Sequence, residues 1–203
     1  MRIVLYTQRV EVVESYGERR DCADQNIAKF LAACGYIPVP VPNNLSVAQE
    51  LVLHLNPIGI VFTGGNSLVK YGGNAPERDE VEQMLLKLAI RKDIPVYGFC
   101  RGMQLIEDFF GAKLENVQEH VAVRHKVYGK IGKYEVNSYH NQACLKVPDC
   151  IEILAYAEDG TIEALQIKKH WILATMWHPE REVPFKQEDI IRVKKLFGKE
   201  ELI

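Results

Sequence analysis

Apolar and polar positions divide the chain into two textures. In the first half, short apolar runs alternate with stretches whose apolar residues recur every three to four positions. Arg2 to Tyr6 reads as a first strand, and a polar stretch through Arg20 leads to a helix from about Asp21 to Cys34. Asp21 is its candidate N-cap and Gly35 its candidate stop. Ile37 to Val41 is rich in β-formers, but Pro38 and Pro40 confine it to a sheet edge or an extended connection. Ser46 is placed to cap a short helix ending at His54, and Pro57 to Phe62 is a continuous apolar run, as in a strand covered on both faces. A long helix over Pro76 to Arg91 carries Val81, Met84, Leu85, Leu88 and Ala89 on one face. The next strand is Pro95 to Phe99, and the helix after it runs to Phe110 and stops at Gly111.

This alternation predicts an α/β fold: a doubly wound, mostly parallel central sheet with helices on both faces. The later half differs. Ala122 to Val127, Lys133 to Val136, Ile151 to Glu158, Ile162 to Ile167 and His170 to Met176 are strand-like runs punctuated by Gly129, Gly132, Asp159-Gly160 and Lys168-Lys169. They read as hairpin strands added to the sheet. An amphipathic helix from Gln187 to Phe197 follows, and no linker or repeat interrupts residues 1–203, so a single domain is expected.

Charge narrows the class of partner. The 25 Lys and Arg nearly balance the 27 Asp and Glu, leaving −2, so neither nucleic acid nor an anionic membrane is indicated and a small soluble substrate fits better. The N-terminal apolar segment is too short for a secretory signal and no run reaches membrane-spanning length, which predicts a cytoplasmic protein. Five scattered cysteines without C-x-x-C spacing suggest neither a disulfide framework nor a zinc site. Cys22 and Cys34 fall in a helical pattern and read as buried, inert thiols. His120 and His125 show no ligand constellation and read as structural or surface residues.

The chemistry concentrates at Gly98-Phe99-Cys100-Arg101-Gly102, where an apolar strand passes directly into a helix. A side chain projected from such a turn stands clear of the sheet, and flanking glycines allow close backbone packing. At a helix N-terminus the thiolate, the nucleophilic form of cysteine, is favoured. A cysteine nucleophile needs a base and a group that orients the base. His178 and Glu180, in Trp177-His178-Pro179-Glu180, follow a strand-like run and supply both. The backbone N–H groups of Gly65, after the strand ending at Thr63-Gly64, and of Arg101 are candidate oxyanion donors. No metal or redox cofactor enters such a reaction.

These segments, in this order and spacing, resemble class I glutamine amidotransferase-like proteins. Arg78-Asp79-x-x-Glu82, Val136-Asn137-Ser138-Tyr139-His140-Asn141-Gln142 and Asp159-Gly160-Thr161-Ile162-Glu163-Ala164 make the chain similar to the γ-glutamyl hydrolase, or peptidase C26, branch. The resemblance implies Cys100 as nucleophile, His178 and Glu180 as the rest of a triad, and Gln104 as a residue that helps hold the glutamyl group. It also puts Asn137, Ser138 and His140 near the bound amino acid. Two departures stand out: Ala174-Thr175-Met176 where relatives often have Gly-Val-Gln, and Asn66 where γ-glutamyl hydrolases often have Asp.

Within the branch, the chain is similar to the hydrolases of capsule phosphoramidate pathways, which release glutamate from a γ-glutamyl phosphoramidate carried on a cytidine nucleotide. That likeness makes Asn66, Ser67, Lys70 and the Asn74 region candidates for the phosphoramidate and Tyr16, Arg19 and Arg20 for the nucleotide, while Gly64, beside Gly65, lets the backbone approach the substrate closely. Other leaving groups, such as polyamines or peptides, suit the same triad. So does a glutaminase subunit that passes ammonia to a synthetase partner, and a non-enzymatic alternative is a thiol redox sensor or binding protein with Cys100 as its oxidisable group.

Overall fold

Apolar residues that alternate between two faces build the centre of the fold. The computed structural model describes residues 2–201; residues 202–203 and Met1, part of the segment read above against a secretory signal, lie outside it. In chain order the elements are β1 (Ile3–Thr7), β2 (Arg9–Val13), β3 (Glu18–Cys22), α1 (Gln25–Ala33), β4 (Ile37–Val41), α2 (Leu45–Leu55) and β5 (Gly59–Phe62). A 3-10 turn at Val69–Tyr71 precedes α3 (Pro76–Lys92), β6 (Val96–Phe99) and α4 (Arg101–Phe109). Then come β7 (Glu115–Asn116), β8 (Val121–Gly129), β9 (Gly132–Tyr139), β10 (Gln142–Ala143), β11 (Ile151–Ala157), β12 (Ile162–Ile167) and β13 (Ile172–Thr175). A second 3-10 turn, Pro179–Arg181, leads to α5 (Gln187–Gly198).

Nine strands form one sheet in the order β4-β1-β5-β6-β13-β12-β11-β8-β9. The first five of these are mutually parallel and the remainder pair antiparallel. This is the predicted doubly wound sheet with added strands. Alternate residues feed two cores: Leu5, Ile60, Phe62, Val96, Ile172 and Ala174 join side chains of α2, α3 and α4 on one face. Val4, Tyr6, Val61, Tyr97, Phe99 and Leu173 join α1 and α5 on the other. Each fully buried aliphatic or aromatic side chain contributes about 1.5–3 kcal/mol of transfer free energy, and strands covered on both faces collect it twice.

Several expectations are corrected. The polar stretch after β1 is a two-stranded antiparallel ribbon, β2 with β3, rather than a loop. Its second strand contains Asp21 and Cys22, so the helix starts later: Asp24 is the N-cap of α1, its carboxylate accepting from the Asn26 amide at 2.9 Å. Cys22 is therefore partly exposed on a strand, whereas Cys34 is buried at the end of α1 as expected. Asn44, not Ser46, caps α2, accepting from the Val47 amide. The run from His170 to Met176 forms the expected hairpin with β12, but β13 also inserts beside β6 and pairs parallel with it, so it joins the central sheet to the added strands. Among the described residues no helix is long and apolar enough to cross a membrane.

Candidate active site

Three parallel strands end side by side, and the chain beyond each end meets the others at one point. Beyond β6, Cys100 adopts φ 52° and ψ −113°, a backbone conformation costing about 1–3 kcal/mol for a residue with a side chain. The turn is held by the Cys100 amide, which donates to the Thr175 carbonyl at 2.9 Å, and by close packing of its glycines. A Cβ on Gly102 would overlap the Phe62 carbonyl of β5, and one on Gly98 would come within 2.9 Å of the Gly102 backbone. Beyond β5, a Cβ on Gly64 would stand 2.6 Å from His178 Cε1 and 3.5 Å from Cys100 Cβ. Glycine at position 64 thus lets the imidazole and the cysteine approach the strand end.

Beyond β13, His178 Nδ1 lies 2.7 Å from Glu180 Oε1, both side chains being buried. Nε2 has no hydrogen-bond partner among the described residues. Asn137 fixes the His178 backbone from both sides: its Oδ1 accepts from the His178 amide at 2.9 Å and its Nδ2 donates to the His178 carbonyl at 2.8 Å. The Phe99 and Tyr139 rings meet the imidazole edge-on, at 5.5 and 5.6 Å between centroids. Burial alone would raise the Cys100 pKa, but the charge of His178 and the Arg101 amide bring it below the ordinary thiol value. Burial would likewise discharge His178, but Cys100 and Glu180 outweigh it and raise its pKa. The thiol and imidazole thus favour a thiolate–imidazolium pair.

A buried ion network lies behind the strand ends. From α3, Arg78 donates to the carbonyls of Thr63 at 2.7 Å, Gly64 at 3.1 Å and Gly65, and its Nε donates to Glu82 at 3.0 Å. Burial lowers the Arg78 pKa to about 10, so the guanidinium remains charged at neutral pH. The Arg101 side chain bonds to Glu82 and Asp79. Burial would raise the Glu82 carboxyl, but Arg101 and Arg78 hold it below its usual range. The Thr63 amide donates to the Thr7 hydroxyl at 3.2 Å, which leaves Gly65 as the oxyanion-donor candidate on this strand end, and Arg101 is the first residue of α4, whose N–H has no partner within the helix. The i, i+4 spacing of Arg78 and Glu82 was visible in the sequence; that the pair clamps the Gly64-Gly65 carbonyls was not.

The other predicted residues divide by position. Asn66, at φ 57°, bonds both backbone groups of Val10 at 2.9 Å and so docks the β2–β3 ribbon, while Ser67 lies half-buried in the same loop. Gln104 is buried and donates to the Gln142 carbonyl at 2.8 Å, joining α4 to the segment after β9. The Ser138 hydroxyl donates to the His120 carbonyl at 2.7 Å, and His140 packs against Glu163 at 3.3 Å; both side chains are engaged there. Tyr16 and Arg20 bond to each other at the exposed ribbon tip, and Arg19 is held by Glu77 and the Asn74 carbonyl. Lys70 pairs with Asp108 at 2.6 Å.

His120 and His125, expected to stand apart from any ligand constellation, instead converge on Glu163. Sequence reasoning also missed Arg9, whose side chain covers Gly65, because it read the ribbon as a loop. Arg9, Thr63, Gly64, Gly65, His178 and Arg181 are among the residues lining a cleft of about 60 Å³. A larger cavity of about 600 Å³ lies at the opposite end of β13, beside Trp171 and Ile172, and shares none of these residues.

Comparison with known proteins agrees with this architecture. The peptidase C26 family model matches residues 3–180. A γ-glutamyl-CDP-amidate hydrolase from Campylobacter jejuni is 31% identical over 87% of this chain and 88% of its own length. A γ-glutamyl-γ-aminobutyrate hydrolase from Escherichia coli O157:H7 is 27% identical over 75% of this chain and 77% of its own. Among solved structures, a glutamine amidotransferase from Thermotoga maritima superimposes with a TM-score of 0.67 at 15% identity, covering 96% of this chain and 83% of that one, which supports the fold. With its strand-to-helix Cys100 turn, its His178–Glu180 pair and a family match over nearly its whole length, the chain belongs to the peptidase C26 family.

Proposed function

We propose that this chain is a cysteine-dependent γ-glutamyl hydrolase whose substrate is a γ-glutamyl-CDP-amidate. The carrying observation is that His178, oriented by Glu180 at 2.7 Å through Nδ1 and left with Nε2 unpaired among the described residues, stands with Cys100 against the same strand end at Gly64. In this reading the Cys100 thiolate attacks the γ-carbonyl carbon, and the N–H groups of Gly65 and Arg101 stabilise the oxyanion. The intermediate collapses with cleavage of the carbon–nitrogen bond, and the His178 imidazolium gives its proton to the departing nitrogen. A γ-glutamyl thioester remains on Cys100. Water then attacks the thioester, His178 takes the water's proton, and sulfur leaves as glutamate is released. Glu180 holds the ring and stabilises its positive form.

Two observations support the phosphoramidate leaving group. One is the similarity to the C. jejuni hydrolase. The other is that Arg9, which pairs with Glu11, and Arg181, which stacks on Tyr139 at 4.3 Å, are among the residues lining the cleft beside Asp24 and Glu180, and an arginine there suits an anionic leaving group. The test is glutamate release from γ-glutamyl-CDP-amidate, γ-glutamyl polyamines, γ-glutamyl peptides and glutamine, with Cys100→Ala as background. The expected result is the highest kcat/KM on the nucleotide phosphoramidate. Preference for a polyamine or peptide would reject the leaving group while keeping the hydrolase. Turnover of glutamine alone would point to a glutaminase that serves a synthetase.

A further inference from the structure

Away from Cys100, four ionisable side chains from the antiparallel part of the sheet converge. His120 precedes β8, His125 lies within it, His140 follows β9 and Glu163 is on β12. Three imidazole nitrogens approach one carboxylate oxygen, Glu163 Oε1: His120 Nδ1 at 3.5 Å, His125 Nε2 at 3.3 Å and His140 Nε2 at 3.3 Å. Glu163 is fully buried, and among the described residues neither of its oxygens receives a hydrogen bond. Those nitrogens likewise have no hydrogen-bond partner. A buried carboxylate without donors costs several kcal/mol, so its surroundings must supply positive charge.

The distances indicate the form of that charge. A charged N–H donating to a carboxylate sits at about 2.7–2.9 Å, closer than any of the three approaches. Two ligands of a tetrahedral zinc ion, each about 2.0–2.1 Å from the metal, stand about 3.3–3.4 Å apart. The orientation of His120 agrees. Its Nε2 lies 2.9 Å from Asp159 Oδ2, and Asp159 is itself held by the amide and hydroxyl of Thr161 at 3.0 Å each. With Nε2 protonated toward Asp159, the lone pair on Nδ1 points at Glu163. A carboxylate fixing the far nitrogen of a ligating histidine is a recurrent arrangement around bound metals. One donor atom from each of His120, His125 and Glu163 lies within 4.8 Å of the other two.

We infer that His120, His125 and Glu163 hold a zinc ion, with His140 as the third imidazole beside the carboxylate. The ion ties β8 to β12. Because the His120 carbonyl accepts from both the Ser138 hydroxyl and the His140 amide, it also fixes the end of β9. Neutral imidazoles and a carboxylate are ligands that zinc accepts, and three protein ligands leave one tetrahedral position for water.

The experiment uses the full chain, stripped with chelator, incubated with zinc and desalted, then measured for metal content and for melting temperature with zinc or with chelator. About one zinc per chain is expected, together with a rise in melting temperature of about 5–10 °C when free zinc is about a hundred times the dissociation constant. Glu163→Gln and His125→Asn, each checked for folding by circular dichroism, should lose both effects. Failure of the parent chain to retain zinc or to respond in melting temperature would overturn the inference and leave a cluster that shares protons. Zinc retained equally by folded variants would overturn it as well. The parent measurement decides if a variant does not fold, and neither readout depends on the hydrolase reaction.

Discussion

Cys100 and His178 shift each other in opposite directions, and this sets an expected pH profile. A thiol pKa below its ordinary value keeps the thiolate populated at lower pH, and an imidazole pKa above its ordinary value keeps the proton on His178 at higher pH. The active pair therefore spans the interval between the two. kcat/KM should fall on the acid side as the thiolate is protonated and on the alkaline side as His178 loses the proton it must donate. Removing the Glu180 charge takes away one of the groups that raise His178. Glu180→Gln should accordingly lower kcat/KM by about 100-fold and move the alkaline limb to lower pH, read from a pH series of initial rates. An unmoved alkaline limb would separate Glu180 from His178. These residue types were legible in the sequence because each step needs a particular functional group. The facing of Ser138 and His140 was not, since a strand turns successive side chains to opposite faces and motif spacing alone does not say which face meets the cleft.

The turn between β6 and α4 works only if α4 lies against β5, which is why Gly102 stands where a Cβ would overlap the Phe62 carbonyl. Gly102→Ala should destabilise the fold by about 3 kcal/mol and lower the melting temperature by about 6–12 °C. Thermal denaturation checks this, and an unchanged melting temperature would deny the close approach. The strand, turn and helix here were readable because an apolar run, two glycines and an amphipathic repeat agree with one another. The β2–β3 ribbon was not. Glu18-Arg19-Arg20-Asp21 has no apolar alternation, and the ribbon is held by contacts from outside its own sequence, including Asn66 on the backbone of Val10. The start of α1 slipped for the same reason: Asp21 and Asp24 are equally good N-caps in isolation, and pairing of β3 with β2 decides between them.

The complete sheet brings together groups far apart in sequence. β13, near the C-terminal end, inserts beside β6 and sets His178 at the same edge as Cys100 and Gly64. The alternation of elements revealed the fold class, but strand order depends on long-range pairing that local patterns do not record. The convergence of His120, His125 and Glu163 was hidden for that reason, its members arriving from separate strands without motif spacing. The most direct measurement is mass spectrometry of the full chain quenched during turnover of a γ-glutamyl amide, followed by peptide mapping and a parallel assay of released glutamate. A γ-glutamyl adduct on the peptide containing Cys100, absent from a folded Cys100→Ala variant that releases no glutamate, is the predicted result. Glutamate release by that variant at the parent rate would contradict it.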